Sequence, residues 1–177
     1  MTLRLVPLTA ESLRALYDDR SDWASGQPEL AYVHWPDDDR RVLRYRVEAL
    51  AADRSSAPYL LHAALLESHF VGRIGCHAAP DETGAVEIGY AVVADVRGQG
   101  IGGQLVDMFL RWLEEQGVAR AVASVAPDNE PSMRLLSSRG FVQVGEQWDS
   151  EDGLELVLSR DLTRGPTPPH PTSVATG

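Results

Sequence analysis

Apolar and polar positions alternate in LRLVPL at residues 3–8, which predicts a strand. Thr9 stands where a helix N-cap is needed, and the spacing of Glu11, Leu13, Leu16 and Tyr17 predicts a helix after it. A Gly-, Pro- and Ser-containing loop at 21–35 leads to a second predicted helix over 36–52, with Val42, Tyr45 and Ala49 on one face. The acids at 37–39 suit the positive end of that helix. Residues 59–66, 70–78 and 85–93 read as three strands of an antiparallel meander, the last two joined by the turn APDETG.

The pattern then changes period. Ile101, Leu105, Met108 and Trp112 line one face of a predicted helix over 100–117, opened by the glycine-rich run RGQGIGG. A short apolar strand follows at 121–125. A turn at 127–131, where Asp128 or Asn129 can cap, starts a helix carrying Met133, Leu135 and Leu136 and ending at Gly140. Two further strands, 141–148 and 154–159, flank an acidic turn at 149–153. From 163 to 177 the chain is proline-rich without periodicity and is expected to be disordered, leaving residues 1–162 as one domain.

Composition narrows the function classes. A chain of 177 residues with 44% apolar and 24% charged residues is long enough for a real core. No apolar run approaches the roughly 18 residues of a membrane span, and the first residues lack a signal-peptide pattern, so a cytoplasmic protein off the membrane is expected. A net charge of −10 argues against nucleic acid and is compatible with a cationic acceptor. The single cysteine, Cys76, sits in an apolar run and reads as a core residue. All 16 basic residues are arginine, which excludes a P-loop, since that motif needs a lysine. His34, His62 and His77 could relay protons, but no spacing suggests a metal site, and none is expected.

The chemistry is concentrated at the strand–glycine turn–helix junction, residues 92–105. A helix start exposes unpaired N–H groups and partial positive charge, and glycines let a phosphate approach the backbone. A pyrophosphate cradle without lysine is therefore possible over Gly98, Gln99, Gly100, Ile101, Gly102 and Gly103. A dinucleotide fingerprint fails on spacing, because the glycines follow a meander rather than opening a βαβ unit. A turn that merely starts a helix is the other reading of these glycines.

Arg97-x-x-Gly100-x-Gly102 resembles the R/Q-x-x-G-x-G/A signature of the GNAT superfamily of N-acetyltransferases. Glu87-Ile88-Gly89-Tyr90-Ala91-Val92 is similar to that family's fourth strand, and Asn129-x-x-Ser132 with Arg139-Gly140-Phe141 resembles its second region. The match spans about residues 70–158 and is similar to the ribosomal-protein N-acetyltransferase-like branch. The resemblance implies an α/β (α+β) fold: a central mixed, mostly antiparallel sheet of about seven strands, splayed at strands four and five, with about four helices. It implies acetyl-CoA as cosubstrate and an amine acceptor, small molecule or protein or peptide, on a monomer or homodimer. Backbone groups of Val92 and Val93 would pair with the pantetheine arm, Arg97 would stand at the cradle rim, and Asn129 would bond the arm from the other side.

The chain departs from the family at two points. A common tyrosine acid is replaced by Leu136, which makes Ser132 the candidate donor to the leaving thiolate. A fifth-strand glutamate found in some relatives is replaced by Ser124, which leaves Glu87 as the candidate base. These absences also allow an acyl-CoA sensor without turnover. Trp35, Tyr59, His77 and Trp148 are candidates for the acceptor pocket, and the acidic turn could attract a cation. Gly100→Glu or Gly102→Asp is expected to abolish acetyl-CoA binding in a titration; unchanged affinity would remove the cradle.

Overall fold

A computed structural model describes residues 2–31, 33–36 and 39–162. The acids at 37 and 38 and the expected tail at 163–177 lie outside the described residues. The elements run β1 (Leu3–Pro7), α1 (Ala10–Tyr17), α2 (Arg40–Ala52), α3 (Ala57–Leu60), β2 (His62–Leu66), β3 (His69–Cys76), β4 (Ala85–Val92), α4 (Ile101–Glu115), β5 (Arg120–Val125), α5 (Glu130–Ser137), β6 (Val142–Asp149) and β7 (Gly153–Asp161). No helix among the described residues is long and apolar enough to cross a membrane.

The seven strands form one sheet in the order β1-β2-β3-β4-β5-β7-β6. Every neighbouring pair is antiparallel except β4–β5. The mixed, mostly antiparallel sheet expected from the sequence is therefore present. Its two faces bury separate cores. On one side Leu105, Val106, Phe109, Leu110 and Leu113 of α4 cover Ile74, Val86, Ile88, Ala121 and Ala123. On the other, Leu13, Leu43 and Leu50 of α1 and α2 cover Ala63 and Leu65. The sequence of β2 is apolar almost throughout because both its faces are covered.

Two elements differ from expectation, one of them the helix expected from residue 36, which begins at Arg40. The strand expected from residue 59 begins at His62, and residues 57–60 form a single helical turn. Pro58 falls at the first positions of that turn, where its fixed φ and missing N–H suit a helix start. Gly75 lets this turn approach β3, since a Cβ there would collide with the Leu60 carbonyl.

His62, expected as a possible proton relay, is instead a core residue at 3% exposure. Its ring lies 5.1 Å from Phe109 and 4.9 Å from Trp112, and its Nδ1 has no hydrogen-bond partner among the described residues. Burial lowers its pKa to about 4. The sign follows directly. Above about pH 6.5 the ring is neutral in both folded and unfolded chains, and nothing is lost. As pH falls toward 4, the unfolded chain binds a proton that the native ring refuses, so stability drops by about 3 kcal/mol. Denaturant titrations of wild type and His62→Leu between pH 7 and 4 check this: the substitution is expected to flatten that slope.

Candidate active site

The ladder between β4 and β5 is short. It joins Ala85, Val86 and Glu87 to Arg120, Ala121 and Val122 and then stops, although β4 continues to Val92 and β5 to Val125. Both strands stay paired on their outer sides, β4 to β3 and β5 to β7. The Glu87 carbonyl accepts from His77 N–H at 2.8 Å, and the Val93 N–H donates to Val71 at 3.0 Å. Alternate residues in an antiparallel ladder turn their backbones to opposite neighbours. The backbones of Ile88, Tyr90 and Val92 therefore face the gap.

Val93 corrects one expectation. Its N–H is held by β3 and its carbonyl accepts from Val96 at 3.3 Å, so neither faces the gap. Arg97 turns back onto the strand, donating from Nε to the Val92 carbonyl at 2.9 Å. The open edge of β4 is thus the N–H of Val92 and the backbone of Tyr90.

The glycine turn closes the outer end of the gap. Gly98 and Gly100 have φ of +75° and +79°, and an added Cβ at either would meet nothing within 4 Å. The helix has no side-chain cap. Its first backbone bond is from Gln104 N–H to the Gly100 carbonyl, at 3.2 Å. Among the described residues, the amides of Gly98, Gln99, Gly100, Ile101, Gly102 and Gly103 have no acceptor in the chain. Ile101 anchors this start in the core at 7% exposure. Gly102 and Gly103 contribute differently on their side-chain faces. A Cβ on Gly102 would sit 3.1 Å from Leu135 and 3.5 Å from Val92, and one on Gly103 would strike the Arg139 guanidinium.

The two faces of β4 carry different chemistry. On the α4–α5 side, the Tyr90 hydroxyl is buried and, among the described residues, has no partner within hydrogen-bond distance. Burial pushes its pKa up, and the nearby Ser132 hydroxyl partly offsets that. Ser132 lies in the first turn of α5, its N–H held by Asn129 Oδ1 at 3.2 Å. Asn129 thereby serves as the helix cap. Leu136 is fully buried in the core.

On the opposite face, Glu87 stands where the ladder ends. Its Oε1 accepts from Ser124 Oγ at 2.7 Å, and Ser124 accepts from Gln147 Nε2 at 3.0 Å. Its Oε2 lies 3.7 Å from His77 Nδ1. Desolvation and the Arg46 charge lower the His77 pKa, and Glu87 opposes them. His77 Nε2 faces the space over Gly89.

Three acceptor-pocket candidates lie elsewhere. Trp35 is 6% exposed, packed edge-on to Trp23 and against Phe70. Tyr59 packs against Trp112. Trp148 is 78% exposed at the end of β6. The acidic turn is also occupied: Asp152 takes a bidentate pair from Arg41 at 2.7 and 2.8 Å, and Glu151 is paired with Arg41 and Arg44. Sequence reading missed Arg46, Gln147 and the Tyr90 hydroxyl, because nothing in local spacing puts α2 or β6 beside β4. Cys76 is buried, which pushes its thiol up to about 12 and removes it as a nucleophile. Among the described residues no cluster could hold a metal ion. A cleft of about 230 Å³, lined by Asp39, Phe70, Arg73, Ala91 and Arg97 among others, opens beside the outer end of β4. A larger groove of about 1260 Å³ runs past Arg120, Arg139, Val142 and Arg160 and includes neither the cradle nor Glu87.

The acetyltransferase (GNAT) domain model matches residues 2–142, and the chain belongs to that family of acyltransferases. No curated protein matches it significantly. Its fold is shared with RimL, a ribosomal L7/L12 alpha-N-protein acetyltransferase solved with coenzyme A (TM-score 0.64, 17% identity, 91% of this chain and 94% of that one). It is shared also with a ribosomal-protein-S5-alanine acetyltransferase from Vibrio fischeri (TM-score 0.61, 16% identity, 91% and 93%). A third is the microcin C7 self-immunity acetyltransferase MccE, solved with acetyl-CoA and AMP (TM-score 0.61, 16% identity, 90% and 92%).

The His77 environment yields a checkable sign. Removing the carboxylate in Glu87→Gln is expected to lower the imidazole pKa further, and removing the cation in Arg46→Gln to raise it. An NMR titration of the His77 ring in the three proteins reads both directions.

Proposed function

We propose that this protein transfers the acetyl group of acetyl-CoA directly to an amine held in the same complex. The observation that carries this reading is the end of the β4–β5 ladder at Glu87–Val122 beside a helix start with free amides. Those amides suit a diphosphate, because partial positive charge and unmet donors converge there. The N–H of Val92 and the backbone of Tyr90 suit an extended arm carrying amides of its own, which would lie as an added strand.

The reaction needs three things from the chain. The amine must be deprotonated. His77 Nε2 is the group to receive that proton, with Glu87 orienting the ring from Nδ1 and Ser124 and Gln147 holding Glu87. Glu87 thus acts through His77. The thioester oxygen gathers negative charge as the amine lone pair attacks its carbon, and the unpaired amides of β4 are the donors available. The carbon–sulfur bond then breaks, and the thiolate takes a proton from Ser132 or from the Tyr90 hydroxyl, which has no other partner among the described residues.

A free-thiol assay with acetyl-CoA and a panel of amines and peptides tests the reading. Thiol release that depends on an amine is expected, and CoA binding without release would mean a sensor. His77→Ala is expected to lower kcat by roughly a hundredfold or more near neutral pH, with the Kd for CoA unchanged. A kcat within a fewfold of wild type would remove His77 as the base.

A further inference from the structure

Among the described residues, Arg46 is a buried cation with no carboxylate within ion-pair distance. It lies on α2 at 4% exposure, and its one hydrogen bond among the described residues runs from Nε to the Leu60 carbonyl at 3.1 Å. Its neighbour Arg73 is the contrast, because Asp39 neutralises that guanidinium through two bonds of 2.5 and 2.6 Å. Glu87, the carboxylate on the same face, is taken up by Ser124 and His77.

The free end of Arg46 points at one place. Its Nη2 is 3.6 Å from where a Gly89 Cβ would stand, and His77 Nε2 is 3.4 Å from the same point. Gly89 lies on β4 just past the last β4–β5 pair, on the face away from α4. A side chain there would fill the space on which the two nitrogens converge. A guanidinium withdrawn from water without a partner is unfavourable, and its planar fork matches a carboxylate or phosphate oxygen pair.

Resting on the transferase reading above, we infer that the acceptor amine carries an anionic oxyacid group a few bonds from its nitrogen, and that Arg46 receives that group while His77 faces the amine. The same charge disfavours acceptors that bring a second ammonium to this spot, so polyamines are poor acceptors. The group can belong to a free amino acid or to the first residue of a peptide. The ligand chemistry is shared, and the two sources are separated by experiment. Desolvation lowers the Arg46 pKa to about 10, which leaves it charged at neutral pH.

The test pairs acceptors that differ only in charge, using the full chain and acetyl-CoA. Glutamate is compared with glutamine, glycine with glycinamide, and peptides beginning with Glu with peptides beginning with Gln; spermidine is the polycation. A carboxylate is expected to exceed its carboxamide by about tenfold or more in kcat/KM in the free or the peptide series. The series with the larger ratio identifies the source. Arg46→Gln is expected to bring the ratio to about one, and Arg46→Lys to restore part of it, with KM for acetyl-CoA unmoved in both. Active wild-type enzyme with no carboxylate preference, or a preference for spermidine, would overturn the inference while leaving the transferase reading intact. CoA binding with no release for any amine would overturn both. The wild-type comparison needs no variant, so it decides the matter even if Arg46→Gln does not fold.

Discussion

Two neighbouring strands here start as a ladder and then let go of each other. Buried backbone N–H and C=O groups need partners, and a sheet normally supplies them from the adjacent strand. β4 and β5 each keep a full set of bonds on the outer side and lose the inner set after Glu87–Val122. The gap is bridged by side chains, Glu87 to Ser124, rather than by main chain. Donors and acceptors are thus left in the middle of a sheet, where a guest with its own amides can complete the ladder.

The same helix that covers the sheet supplies the second half of the site. Phe109, Leu105 and Leu113 are fully buried, so the axis of α4 is fixed by the core. Its first turn, with no side-chain cap, is therefore presented at a fixed distance from the end of β4. Donors held this way need no reorganisation when an anion arrives. Anchoring comes from apolar burial and the free donors from bare backbone, so this helix start presents positive charge without a single lysine.

The glycine turn with its free amides was legible in the sequence because it is local. Gly98 and Gly100 hold the positive φ that favours glycine, and only Gln99 separates them in the chain. The switch from period two to 3.6 on either side of them located the strand and helix. The opposite face is assembled from α2, the end of β3, β4, β5 and β6, and no spacing along the chain reports that Arg46 and His77 flank Gly89 or that Gln147 reaches Glu87 through Ser124. Aromatic residues misled for a related reason. Trp35 and Tyr59 look like pocket walls in sequence, but burial between elements claims them first. Ser124 was read as the loss of a base, whereas the fold uses its hydroxyl to hold Glu87.

β4 divides its labour by parity. Val86, Ile88, Tyr90 and Val92 look toward α4 and α5, while Glu87 and Gly89 look toward α2 and His77. Adding or deleting one residue inside this strand would exchange the two sets, burying the carboxylate in the apolar core and turning the phenol out beneath α2. Point substitutions can reshape either surface independently of the other. Changes of length in β4 cannot be absorbed in that way, and variation in length among descendants of this chain belongs in the turns on either side of it.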